Sequence, residues 1–304
     1  MKRIDLENRL ELFRGSVTPG VRMNQELAEF YTQPEAWMVR AQCASSVRIL
    51  FYTDAEEIVW QCKFGALALE VYTTDIFVDE KMTTLDGEGP HTLKLAPGRK
   101  KLEIYMPHLV VLKEYSLYLN DSAYVEAIEE KRPKLLICGD SIMQGMTCSS
   151  PARASVCIAA RALDMDLHNT SVGGVIMRAA TVHDTLLIGG DVVVVALGIN
   201  DISHKTPMDV FRAETEKTLQ YLSNYNGKCF IITPIPTTHE NLESQRGNIC
   251  QAIRDVHAKY PAVTLIEGES FFPADDALLA DKLHPNDKGM EVYARGLIDM
   301  IRNK

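Results

Sequence analysis

The sequence lacks three things that would have narrowed its class at once. It has seven cysteines, an odd number, and no Cys-x-x-Cys pair. Disulfide scaffolds and zinc ribbons both need paired spacings, so neither is expected and the thiols should be reduced. No apolar run approaches the ~18 residues of a membrane-spanning helix. The stretch Met1–Leu10 begins with Lys2 and Arg3 but meets Asp5 and Glu7 at once, where a secretory leader needs about 7–15 uninterrupted apolar residues. The expectation is a cytoplasmic protein with no membrane partner. The third lack is positive charge: Lys+Arg is 32 against Asp+Glu 41, a net charge of −9. A nucleic-acid binder shows a basic balance or patch, so no nucleic-acid partner is expected. Internal repeats and low-complexity tracts are absent as well.

What is present is ordinary globular material. Hydrophobic residues make up 46% and charged residues 24% of 304 residues. That length suggests two domains, and a chain this long buries about 75% of its unfolded surface without staples. Two textures divide it. Residues 1–130 carry short β-branched or alternating runs: Val47–Tyr52, Ile58–Phe64, Ala68–Tyr72, Ile76–Val78, Lys101–Tyr105 and Val110–Leu112. The turn signals Asp86-Gly87, Gly89-Pro90 and Pro97-Gly98 lie between them. Many short strands separated by turns predict an all-β sandwich or jelly roll, with no long helix after residue 30. Trp37 and Trp60 are then expected in the sandwich core.

From Lys134 the texture alternates. Leu135–Cys138, Asp191–Leu197, Cys229–Ile232 and Val263–Ile266 read as buried parallel strands, with another expected just before Asn169. Helical patterns fall at about 151–163, 175–187, 208–223, 242–259 and 286–302. Strand–helix alternation predicts an α/β fold with a doubly wound parallel sheet over residues 131–304. The charged stretch Glu126–Lys134 marks the boundary with a β-sandwich domain over 1–130.

In an open α/β sheet, chemistry sits at the carboxyl ends of the strands. Four segments fall there: Gly139-Asp140-Ser141, Asn169 to Gly174, Gly198-Ile199-Asn200-Asp201, and Asp281-Lys282-Leu283-His284. Each alone is a plausible loop. Three of them in this order, each after a strand or before the last helix, suit nucleophilic acyl transfer. Ser141 needs a base to take its proton, and His284 is the natural one. Asp281, three residues earlier, can hold the imidazole in the right tautomer. The backbone N–H of Ser141, the N–H of Gly174 at an expected helix start, and the Asn200 amide are available oxyanion donors.

These residues resemble the SGNH hydrolases, the GDSL esterase/lipase superfamily, over about residues 134–304. The four name residues fall on Ser141, Gly174, Asn200 and His284, and the family's aspartate on Asp281. The resemblance implies a flavodoxin-like sheet, a Ser141–His284–Asp281 triad and an oxyanion hole of Ser141, Gly174 and Asn200. It also implies no cofactor and no metal. Two departures are Ile142 in place of leucine after the serine, and Ser171 where glycine is common. The latter leaves Gly173 beside Gly174 as a possible donor, with Gly174 preferred. The front half is similar in texture to β-sandwich domains that precede the hydrolase domain in some carbohydrate esterases and acyltransferases.

The reading is therefore a serine esterase acting on a small-molecule or saccharide ester, with an acyltransferase as its alternative. Two rivals are a metal-dependent phosphoesterase using Asp140, Asp201, Asp281 and His284, and a binding protein on a dead hydrolase fold. Asp140 is expected to support the serine turn, and Asp201 to support Asn200. His239 is a candidate pocket residue. His91, His108, His168, His183, His204 and His257 read as surface or satisfied core residues, and Cys138 and Cys148 as packing.

Overall fold

A computed structural model describes residues 1–303. The chain opens with β1 (Lys2–Arg3), β2 (Phe13–Arg14) and two short helices, α1 (Gln25–Glu29) and α2 (Glu35–Gln42). Eight strands follow: β3 (Arg48–Thr53), β4 (Glu57–Leu67), β5 (Thr73–Val78), β6 (Lys81–Asp86), β7 (His91–Lys94), β8 (Lys100–Tyr105), β9 (Val110–Leu119) and β10 (Glu126–Ala127). They form two antiparallel sheets. One has the order β1-β9-β4-β7. The other has the order β10-β3-β8-β5-β6, with β2 added on β3.

Period-two alternation builds the core between these sheets. Ile58, Trp60 and Cys62 of β4 face inward with Leu117 and Leu119 of β9, and meet Ile49, Phe51, Ile76, Leu102 and Ile104 of the other sheet. Trp60 is fully buried and donates its Nε1–H to Thr74 Oγ1 at 3.1 Å. Ala68–Tyr72, expected as a strand, is an irregular crossing between β4 and β5. Within β4 the register against β9 shifts after Lys63 and again after Phe64, and the last residue, Leu67, still pairs with Val110.

The second half is built on five parallel strands: β11 (Lys134–Gly139), β12 (Asp166–Asn169), β13 (Val192–Ala196), β14 (Lys228–Ile232) and β15 (Thr264–Ile266). Their order is β12-β11-β13-β14-β15, the doubly wound order of flavodoxin-like sheets. The strands are apolar on both faces because helices cover both. Leu135, Ile137, Val192, Val194, Phe230 and Ile232 face α4 (Ser155–Leu163) and α9 (Asp287–Asn303). Leu136, Cys138, Val193, Val195, Cys229 and Ile231 face α5 (Ala179–Leu186), α7 (Met208–Ser223) and α8 (Glu240–His257). Two single-turn helices, α3 (Ser141–Gln144) and α6 (Ile199–Ser203), sit directly at the strand ends. Among the described residues no helix is long and apolar enough to cross a membrane.

A second sequence expectation fails in the front half. Met23, Leu27, Tyr31, Trp37 and Ala41, on and around α1 and α2, pack with Val172, Val175 and Met177 in the core of the parallel sheet. Trp37 is therefore not a sandwich residue. Helices of five and eight residues carry too little periodic signal to stand out, and tertiary packing holds them where propensity does not.

Polar groups join the two halves at a buried seam. The Arg48 guanidinium lies 3.1 Å from Glu103 and 3.0 Å from Asp166, with all three side chains nearly inaccessible. Asp75 accepts from the Ala152 N–H at 2.8 Å, and Arg161 donates to the Tyr105 hydroxyl at 3.0 Å. His108 lies beneath the serine turn with Nε2 3.1 Å from the Gly145 carbonyl, and burial pushes its pKa down to about 4.

Candidate active site

β11 ends at Gly139, and Asp140 caps the single turn α3 by accepting the Ile142 N–H at 3.0 Å. This cap fixes Ser141 as the first residue of the turn, at the carboxyl end of a central strand. Burial pushes the Asp140 carboxyl up to about 6, partly offset by the Ile142 amide. Asp140 thus plays the supporting part expected of it.

His284 arrives from the far end of the chain on the loop before α9. Asp281 organises that loop: one of its oxygens accepts the N–H groups of Leu283 (3.2 Å) and His284 (2.8 Å). The other accepts from His284 Nδ1 at 2.7 Å. Burial works against the Asp281 charge, but these amides and the imidazole hold its carboxyl below the usual range. Neighbouring loops anchor the turn from outside. Thr238 N–H and the Thr237 hydroxyl donate to the Lys282 carbonyl, and the Thr147 hydroxyl to that of Pro285. With Nδ1–H given to Asp281, Nε2 is left as an acceptor, 2.8 Å from Ser141 Oγ. Serine, histidine and aspartate, 143 positions apart at the extremes, form one continuous hydrogen-bonded chain.

The expected oxyanion donors lie on two further loops. Gly174 has φ +83°, a left-handed conformation in a turn. It does not open a helix: α5 begins only at Ala179, so no helix dipole acts at this glycine, contrary to the sequence expectation. The Gly173 N–H is already given to Gln144 Oε1 at 2.7 Å. The Gly174 N–H has no protein partner among the described residues, which separates the two candidate glycines. Asn200, second residue of α6, spends one amide hydrogen on the Val175 carbonyl at 3.0 Å, tying itself to the Gly174 loop. Asp201 does not support Asn200 as expected. It accepts the Met177 N–H at 2.9 Å and steadies the same loop from the other side.

Other candidates are placed elsewhere. His239 is exposed at the start of α8. His168 is a core residue, with Nε2 2.6 Å from the Arg22 carbonyl. Cys138 and Cys148 are buried among the strands and turns. Among the described residues no group of three or more His, Cys, Asp or Glu is placed to hold a metal ion. A small pocket lies at the ends of β11, β13 and β14, lined by Asp140, Ile142, Leu197, Ile199, Thr233 and Tyr293 among others. It adjoins the serine turn but takes no lining from Ser141 or His284.

Three residues at the site escaped sequence reading. Gln144 was visible in the serine block but carried no distinguishing signal. Arg40 and Trp37 come from α2, far away in sequence. Arg40 donates to the Gly173 carbonyl at 2.8 Å. Trp37 is 5% exposed beside Gly174, where a Cβ on that glycine would meet its Nε1 at 3.1 Å.

Residues 137–292 match the family model described as the GDSL-like Lipase/Acylhydrolase family. No curated protein sequence matches the chain. Solved structures resemble it over nearly its whole length. A GDSL-like lipase from Bacteroides ovatus aligns with a TM-score of 0.74 at 17% identity, covering 96% of this chain and 96% of that one. A salicylyl-acyltransferase from a tetracycline biosynthetic pathway aligns at 0.71 and 19% identity, covering 93% and 91%. A family two carbohydrate esterase from Clostridium thermocellum, solved in complex with cellohexaose, aligns at 0.63 and 17% identity, covering 85% and 92%. At these identities the likeness is one of fold, and it includes the front half.

Proposed function

Since the chain belongs to the GDSL-like lipase/acylhydrolase family of ester-hydrolysing enzymes, we propose that it cleaves a carboxylic ester through an acyl-enzyme on Ser141. The observation that carries this reading is the 2.8 Å contact between Ser141 Oγ and His284 Nε2, continued by the 2.7 Å contact from Nδ1 to Asp281. Ser141 Oγ attacks the ester carbonyl carbon while its proton passes to His284 Nε2. The negative charge moves to the carbonyl oxygen, where the N–H groups of Ser141 and Gly174 and the free Asn200 amide hydrogen receive it. Collapse expels the alcohol, which takes the proton from His284. Water then repeats the sequence on the acyl-enzyme, with His284 again the base, and releases the acid. Asp281 keeps Nδ1 protonated throughout and stabilises the imidazolium.

Within this reading residues 131–304 form the catalytic domain and 1–130 an accessory domain. An acylated carbohydrate is the substrate class we favour. Its support is the likeness in fold, over 85% of this chain, to an esterase solved with cellohexaose. Transfer to an alcohol in place of water is the second reading, supported by the likeness to an acyltransferase. Product partition between water and added alcohol separates the two.

The first test is Ser141→Ala. Hydrolysis of p-nitrophenyl acetate should fall by at least ~10³-fold with the melting curve unchanged, as for other nucleophile deletions. A fluorophosphonate should label Ser141 in the parent enzyme. Retention of a tenth of the parent rate, or labelling mapped to another residue, refutes the assignment.

A further inference from the structure

The proposed catalytic domain, residues 131–304, takes one contact at its site from α2 in the front half. The Arg40 side chain crosses from that helix to the Gly173–Gly174 loop and donates from Nη1 to the Gly173 carbonyl at 2.8 Å. That carbonyl belongs to the same peptide group as the Gly174 N–H. The bond between them is trans, since the only cis peptides among the described residues precede Pro34 and Pro90. In a trans peptide the C=O and N–H lie in one plane and point in opposite directions. A donor fixed on the oxygen therefore fixes the direction of the hydrogen. A cationic donor also draws electron density through the amide and makes that hydrogen a better donor at its other end.

The surroundings suit this use. The preceding amide is locked separately, with the Gly173 N–H on Gln144 Oε1 at 2.7 Å. Gln144 Nε2 in turn donates to the Arg40 carbonyl at 2.8 Å, and so does Arg22 Nη2 at 2.8 Å. Backbone and side chain of Arg40 thus both enter one network with the turn that carries Ser141. Among the described residues no carboxylate lies within 4.0 Å of the guanidinium, so its charge is not spent on an ion pair. It is half-buried, where water screens it less than at an open surface.

Resting on the assignment of Gly174 as an oxyanion donor, we propose that Arg40 is a positioning residue of the reaction. From the front half of the chain it orients and polarises the Gly173–Gly174 peptide. It touches the peptide and not the substrate.

The test compares Arg40→Ala, Arg40→Met and Arg40→Lys with the parent in the full chain, with Ser141→Ala measured beside them. On p-nitrophenyl acetate, Arg40→Ala and Arg40→Met should lower kcat by about 10- to 50-fold, less than outright loss of an oxyanion donor, with KM within about three-fold. Arg40→Lys, which restores a cationic donor, should recover part of kcat. The rate of phosphonylation by a fluorophosphonate should fall in parallel with kcat, because its phosphoryl oxygen occupies the oxyanion position. Methylguanidinium should restore part of kcat to Arg40→Ala and do nothing for the parent. A residue that merely glues α2 to the loop would lower active enzyme concentration, read by fluorophosphonate titration, without changing kcat per titrated site. Unchanged kcat per site, or a loss that neither lysine nor methylguanidinium relieves, overturns the proposal. If Arg40→Ala does not fold, the kcat per site of Arg40→Met decides, and equality with the parent counts against us. Activity in Ser141→Ala would instead remove the serine mechanism itself, so the two failures are distinguishable.

Discussion

Adding one methyl group at Gly174 separates backbone strain from catalytic geometry. Gly174 sits at φ +83°, where a residue with a Cβ carries about 1–2 kcal/mol of strain. In a chain of this size that corresponds to a fall in Tm of about 1.5–3 °C. The methyl also has no room: it would lie 2.8 Å from Arg40 Nη1 and 3.1 Å from Trp37 Nε1. Trp37 is packed in the core, so the guanidinium must give way or the loop must shift. Either movement releases the Gly173 carbonyl and lets the Gly174 N–H turn away. A displacement of about 1 Å at a reacting group costs roughly 10²-fold in rate, so Gly174→Ala should lower kcat by about that factor. Gly189 supplies the control, with φ +79° and no neighbouring heavy atom within 4 Å of its would-be Cβ. Gly189→Ala should lose a similar Tm and keep its kcat. Thermal melts and initial rates on p-nitrophenyl acetate, normalised by fluorophosphonate titration, read both effects. A Gly174→Ala enzyme with parental kcat and the Tm loss of the control would refute the assignment of this loop to the oxyanion hole.

Asn200→Ala should lower kcat by about 10²–10³-fold with little change in KM, as for a lost oxyanion donor, and an effect on KM alone would assign Asn200 to ground-state binding. Arg48→Ala should leave Glu103 and Asp166 as uncompensated buried charges, costing about 3–5 kcal/mol of stability; urea unfolding checks this, and a loss below 1 kcal/mol would show that the seam does not depend on the arginine. His168 is buried and neutral, with its pKa pushed down to about 4 from an ordinary 6.5. Between those values the unfolded chain binds a proton that the folded one does not, so this group makes stability fall as pH falls through that window. The raised carboxyls of Asp140 and Asp201 take up protons in the folded state and oppose that trend, so the measurable quantity is a difference. His168→Gln should make unfolding free energy less pH-dependent than in the parent on the acid side, by about 1.4 kcal/mol per pH unit within the window. Parallel curves for the two proteins would refute it.

The sequence by itself determined the parallel sheet and its helices, because a strand covered on both faces leaves an unbroken apolar run such as Val192 to Ala196. A helix of 16 residues such as α7 likewise repeats its apolar stripe often enough to be read. Four loops at strand ends were legible because each combines residue types that backbone geometry or acyl transfer requires locally: Asp140 capping the serine turn, Asp281 three residues before His284. The five- and eight-residue helices of the front half were not legible, since their burial against the parallel sheet is decided by partners more than a hundred residues away. Tertiary structure alone decided which glycine keeps a free amide, because that depends on Gln144 taking the other. It alone decided that Asp201 holds Met177 and not Asn200. It also decided that Arg40 reaches the Gly173 carbonyl: a guanidinium on a long side chain can serve any carbonyl within its reach, and only the fold says which one lies there.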